Sequence, residues 1–107
     1  MKIRFAAGVG DEITAIAEYI EKKRSGYGGY FLDDIREELD AIRQFPQMHQ
    51  AIRRDYRRVS LKRWKHHLFY RLIDDQTILV VRVIHSARSP ELWPQLNRPG
   101  NPGDQIS

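Results

Sequence analysis

Hydrophobic residues recur along this chain with two different periods, and the change from one to the other divides it into a helical part and a strand part. Residues 1–6, MKIRFA, put Ile3 and Phe5 on one side and Lys2 and Arg4 on the other, the alternation of a short first strand. From Asp11 the period lengthens. Ile13, Ile16, Ala17 and Ile20 form one apolar stripe, with Glu12, Glu18, Glu21, Lys22 and Lys23 off it, which predicts an amphipathic helix. Asp11 is its expected N-cap, the early acids complement the positive end of the helix dipole, and Lys22, Lys23 and Arg24 complement the negative end before Gly26 stops it. GYGGY at 26–30 is a break. A second helix then carries Phe31, Ile35, Leu39, Ile42 and Phe45 on one stripe, and Pro46 ends it by disfavouring helical geometry in the residue before it.

Beyond residue 50 the pattern reads as strands. Ile52, Tyr56 and Val59 are scattered among arginines, so strand boundaries in 51–60 are not defined by periodicity. KHHLFYRLI (65–73) and TILVVRVIH (77–85) are rich in aromatic and β-branched residues, and the DDQ between them predicts an antiparallel hairpin. The second of these strands is apolar on both faces, as a central strand is. The resulting order is β-α-α-β-β-β, an α+β fold in which a helical hairpin packs on a small antiparallel sheet. One domain over residues 1–97 is expected, with 98–107, rich in Gly, Pro and polar residues, as a disordered tail.

Charge sharpens this picture. The net charge is +4. Residues 1–50 hold seven basic and nine acidic side chains, and residues 74–107 hold three and four. Residues 51–73 hold eight basic groups and one acid, so the whole excess sits in the strand part. A field of that sign attracts nucleic acid or an acidic protein segment. There is no cysteine, which excludes disulfides and thiolate metal sites. His66 and His67 are adjacent on a predicted strand and face opposite ways, so they do not form a metal pair, and neither metal nor cofactor is expected. MKIRFAAGVGDE lacks the apolar segment of a signal peptide, and no apolar run is long enough to span a bilayer, so a soluble cytoplasmic protein is expected.

The stretch VIHSARSPELW (83–93) contains more than is needed to stop a strand. Ser89 and Pro90 predict a turn opening one helical turn, and Trp93 predicts an apolar anchor. His85 and Arg88 are then left as functional candidates, although a histidine at a strand end often only bonds a neighbouring backbone group, and Arg88 has Glu91 three residues away. Phosphodiester cleavage without a metal needs a base, an acid and cations around the phosphorus. Lys62, Arg63, Lys65, Arg71 and Arg88 supply cations, and His66, His67, His85 or Tyr70 could exchange the proton. Tyr70 and Arg71 alternate faces, and Arg71 is the one expected to point away from the helices, since burying an unpaired charge is costly.

Four segments in this order resemble the RelE/ParE superfamily of toxins from bacterial type II toxin–antitoxin systems. They are DEITAIAEYIEKK, LDAIRQFPQM with its Phe-Pro helix end, the hairpin KHHLFYRLIDDQTILVVRVIH, and the His-Ser-x-Arg-x-Pro-x-x-Trp ending. The resemblance covers roughly residues 1–95. It implies the fold read above, growth inhibition, and a small antitoxin partner whose tail wraps the toxin. RelE-like members cleave mRNA on the ribosome and end in a Tyr or His-Tyr pair; here His85 is followed by Ser86 and the chain continues ELWPQL. The ending is similar to ParE-like members, which inhibit DNA gyrase and are not nucleases. The resemblance therefore implies a ParE-like inhibitor of the plasmid-stabilisation type, with a ribosome-dependent endonuclease as the alternative. A third possibility is a member that only binds its antitoxin. Target-facing residues would be Lys62, Arg63, Lys65, Arg71, His85 and Arg88. Arg57, Arg58 and Tyr70 would face the antitoxin, and in the ribonuclease alternative Arg71, His85 and Arg88 would be catalytic.

Overall fold

The computed structural model describes residues 1–53 and 55–86. The elements are β1 (Lys2–Phe5), α1 (Val9–Lys23), α2 (Tyr27–Gln44), β2 (Ala51–Arg53), β3 (Tyr56–Leu61), a 3-10 turn (Lys62–Trp64), β4 (His66–Asp74) and β5 (Thr77–His85). The five strands form one sheet in the order β1-β5-β4-β3-β2. The expected two helices and hairpin are present, and β5 is flanked on both sides. Two features differ from expectation. The ill-defined 51–60 segment makes two strands, and the sheet is mixed, because β1 runs parallel to β5. Chain reversal explains the second. Each element from α1 to β5 turns back on the one before it, so after six reversals β5 points the same way as β1. Local periodicity contains no information about which edge β1 joins.

α1 begins two residues earlier than Asp11. Its N-cap is Gly8, whose backbone adopts φ 85°, a left-handed conformation that suits glycine. Burial of Ala6 and Val9 draws the chain into the core at this point, and Val9 N–H donates to the carbonyl of Ala6. Asp11 and Glu12 instead occupy the first turn. α2 starts at Tyr27, within the glycine-rich break. The carboxylate of Glu21 accepts from the backbone N–H groups of Gly26 and Gly28 at 2.8 and 3.0 Å, supplying the cap that α2 lacks locally. Gly28 has no room for a side chain: a Cβ there would lie 2.6 Å from the carbonyl oxygen of Ala17, so the two helices touch backbone to backbone.

The helices lie on one face of the sheet. Phe31, Ile35 and Ile42 of α2 join Val9, Ile13 and Ala17 of α1 over Val59, Leu68, Tyr70, Val80 and Val83. Directly opposed residues of an antiparallel pair share a face, so the register assigns every strand residue to the helix face or the far face. His66 and Tyr70 face the helices, as the Phe31–His66 ring contact and the hydrogen bond from Tyr70 Oη to the carbonyl of Pro46 (2.9 Å) show. Arg58, Ser60, His67, Phe69, Arg71 and Arg82 therefore occupy the far face.

Candidate functional site

The sequence-nominated residues fall into two groups, one around the turn that leads into β4 and one on the far face of the sheet. The first group surrounds the turn between β3 and β4. Asp34 of α2 anchors it, accepting from Trp64 Nε1 at 2.7 Å and from Arg63 Nε and a terminal guanidinium nitrogen at 3.0 and 3.1 Å. Trp64 is wedged edge-on against Tyr27 and Phe31, which fixes the turn to the helical hairpin. Lys65 then adopts φ 55°, ψ 42°, and its carbonyl accepts from Ser86 N–H at 2.8 Å, so the ends of β4 and β5 are held side by side. His66 and His85 are directly paired across these strands, with ring centroids 5.0 Å apart. Burial lowers the pKa of His66 and the nearby His85 lowers it further, although the Trp64 carbonyl at its Nδ1 acts in the opposite direction.

The second group is on the far face. His67 Nδ1 lies 3.2 Å from Ser60 Oγ across the β3–β4 pair. Its pKa is lowered by burial first and then by the charge of Arg58. Towards the hairpin end, Arg71 donates to Tyr56 Oη at 3.1 Å, lies over that ring, and approaches Asp55 at 3.7 Å. Arg82, not singled out by sequence, is tied to Glu12 at the start of α1: Nε and a terminal nitrogen donate to one carboxylate oxygen at 3.1 and 2.8 Å. The other oxygen accepts from Val83 N–H at 2.7 Å. Glu12 thus fills the edge of β5 just where β1 has ended. No local signal in the sequence pairs residues 70 positions apart.

This geometry separates residues that the sequence grouped. Arg71 lies five residues along β4 from His66, the partner of His85, and so about 16 Å away along the strand, on the opposite face. Arg63 and Lys65 belong with His85, and Arg71 belongs with Tyr56. Arg88, the Ser89–Pro90 turn, Trp93 and the 98–107 tail lie outside the described residues, as does the side chain of Lys62. Tyr70, expected to face an antitoxin, is fully buried, and burial raises its pKa. Its ring offers no surface, because β4 turns it towards α2. Arg57 and Arg58 flank β3 on opposite faces; Arg57 donates to the carbonyl of His49 on the helix side. Among the described residues no group of three His, Asp or Glu side chains is arranged to hold a metal ion, and no helix is long and apolar enough to cross a membrane.

Comparison with solved structures finds the isolated E. coli RelE toxin, with a TM-score of 0.61, 16% identity, and 84% of this chain and 88% of that one covered. It also finds the chromosomal ParDE system of P. aeruginosa, with a TM-score of 0.55, 13% identity, and 79% and 95% covered. At such identity these likenesses speak for the fold: two helices on a five-stranded sheet. A sequence search of curated proteins gives no match. The model of the ParE toxin family, the toxin of the type II toxin–antitoxin system parDE, matches residues 3–90. The chain therefore belongs to the ParE toxin family, and its family membership implies a cognate antitoxin as partner.

Proposed function

We propose that this chain is a ParE-like growth inhibitor that acts in the cytoplasm by binding DNA gyrase, serves plasmid stabilisation, and is neutralised by an acidic antitoxin segment meeting Arg57 and Arg58. A single functional domain over residues 1–97 carries the activity. The observation that carries this reading is the separation of Arg71 from His85. A phosphodiester under attack needs base, acid and cation within hydrogen-bond reach of a few atoms. Two of the three nominated catalytic residues, Arg71 and His85, lie on opposite faces of the sheet and about 16 Å apart along the strands. The family match to ParE supports the same reading. Gyrase binding requires only surface complementarity, which dispersed cations such as Arg63 and Lys65 can serve.

A second reading, ribosome-dependent mRNA cleavage, is favoured by one observation. His67 is held towards its neutral form and so suited to accept a proton, beside Arg58 and Ser60 on the far face. Pulse-labelling after induction of the chain alone separates the two. The gyrase reading expects DNA synthesis to stall first while translation persists, with purified chain inhibiting supercoiling. Collapse of protein synthesis within minutes, sensitive to His67→Ala, would establish the ribonuclease instead.

A further inference from the structure

We propose that His66 and His85 form a two-imidazole site for a divalent transition-metal ion, zinc being the one that fits best, with the remaining coordination positions open to water. The proposal stands whichever macromolecule the chain acts on. His66 and His67 face opposite ways and cannot share an ion, but the register of β4 and β5 places His85 directly opposite His66, so these two side chains leave the same face of the sheet. Their ring centroids are 5.0 Å apart. A metal held at about 2.0–2.1 Å by an imidazole nitrogen lies about 3.2 Å from that ring's centroid, so two rings on one tetrahedral ion have centroids about 5.2 Å apart, and two at a right angle about 4.5 Å. The observed spacing falls between these values and nearer the tetrahedral one. The ion must also lie in the plane of each ring, which stacked rings do not allow; these two planes are inclined by 76° and intersect.

The surroundings prepare one ring and leave the other adjustable. The Trp64 carbonyl can only accept, so a neutral His66 carries its proton on Nδ1 and its lone pair on Nε2. A backbone carbonyl at the other ring nitrogen is the usual support of a metal-ligating histidine, because it fixes the tautomer and the direction of the lone pair. Phe31 of α2 packs edge-on against the same ring and holds it further. His85 is exposed, and the torsion that swings its ring is broad, so its nitrogen can be turned towards the ion. The spacing of the two strands is set beforehand by Ser86 N–H, which donates to the Lys65 carbonyl at 2.8 Å, so the ion has little ordering left to do. Positive charge at this end is offset on the helix side. Leu61, the partner of His66 in β3, and Trp64 line a hollow together with the carboxylates of Asp34, Glu37 and Glu38. Imidazole suits zinc, copper and nickel, whereas magnesium and calcium take oxygen ligands. A bound ion would cross-link the ends of β4 and β5.

The test is titration of the full chain, without a histidine tag, with zinc chloride at neutral pH, followed by proton–nitrogen correlation NMR of the imidazoles. The signals of His66 and His85 are expected to shift together and to saturate at one ion per chain, while His49 and His67 stay in place and magnesium moves none of them. His66→Gln and His85→Gln should each weaken zinc binding by at least about tenfold, and His67→Gln should leave it unchanged. His85 is exposed, so its variant probes the site without disturbing the core, and the rise in Tm that zinc gives the unaltered chain should be lost in it. A shift at His85 alone, saturation at one ion per two chains, equal zinc binding by the His85→Gln chain, or no shift of either ring in excess zinc would overturn the inference.

Discussion

Replacing Glu12 by Ala removes a polar link between the start of α1 and β5, and its cost can be worked out from the contacts. Four contacts end on this carboxylate: three from Arg82 at 3.4, 3.1 and 2.8 Å, and one from Val83 N–H at 2.7 Å. The Val83 amide is the larger part. A hydrogen bond to a charged group contributes roughly 1.5–3 kcal/mol, and without Glu12 the amide sits at a sheet edge with no strand beside it. The ion pair adds less, about 0.5–1 kcal/mol, because the side chains of Arg82 and Glu12 remain 32% and 24% exposed and water screens them. Glu12→Ala should therefore destabilise the fold by about 2–4 kcal/mol. For a chain of 107 residues, where 1 kcal/mol moves Tm by about 4–5 °C, that is a fall of roughly 8–20 °C. Arg82→Ala should cost only about 1 kcal/mol, since Glu12 keeps its bond to Val83. Glu12→Gln should fall between them, retaining an acceptor but no charge. Thermal and urea unfolding followed by far-UV circular dichroism measures all three. The reasoning fails if Glu12→Ala costs less than about 1 kcal/mol, or if Arg82→Ala costs as much as Glu12→Ala.

Other expectations follow from the same contacts. Gly28→Ala should destabilise by about 1–3 kcal/mol in thermal melts despite alanine's better helix propensity, because its Cβ meets the Ala17 carbonyl; Gly29→Ala, with open space and no positive φ, should stabilise by up to about 1 kcal/mol. Asp34→Ala should cost about 1.5–3 kcal/mol through the Trp64 indole, whereas Arg63→Ala, whose side chain is 63% exposed, should cost under about 1 kcal/mol; equal losses would show that the ion pair and not the indole bond holds the turn. Stability should fall as pH drops below about 6.5, because His66 and His67 bind protons more weakly folded than unfolded, so acid favours the unfolded chain; at higher pH both states are neutral and this contribution vanishes. His66→Gln should flatten that slope in denaturant titrations between pH 7.5 and 5.

Some elements were legible because they depend on neighbours in sequence. The stripes Ile13–Ile20 and Phe31–Ile42, the stop at Pro46, and the hairpin about Asp74–Gln76 all express a local period or a local backbone restriction, and each stands within two or three residues of where the pattern put it. The start of α1 moved to Val9 because burial of Ala6 and Val9 outweighed the capping preference of Asp11. Alternation along β4 was also enough to turn Tyr70 inward and Arg71 outward. It was not enough to say which candidates meet, because that depends on register and on the bulge between Phe69 and Tyr70.

The sequence by itself thus determined the helical hairpin, the central strand, the confinement of positive charge to residues 51–73, and the family resemblance. Only the tertiary structure decided that β1 lies parallel beside β5, that Arg71 and His85 are kept apart, that Glu12 reaches Arg82, and that β2 is too short to cover β3. The physical reason is the range of the interactions. Helix period, capping and turn chemistry act over a few residues, so they are written in adjacent letters. Strand order, edge exposure and the convergence of charges are settled by packing among segments tens of residues apart, where many letter combinations serve equally well.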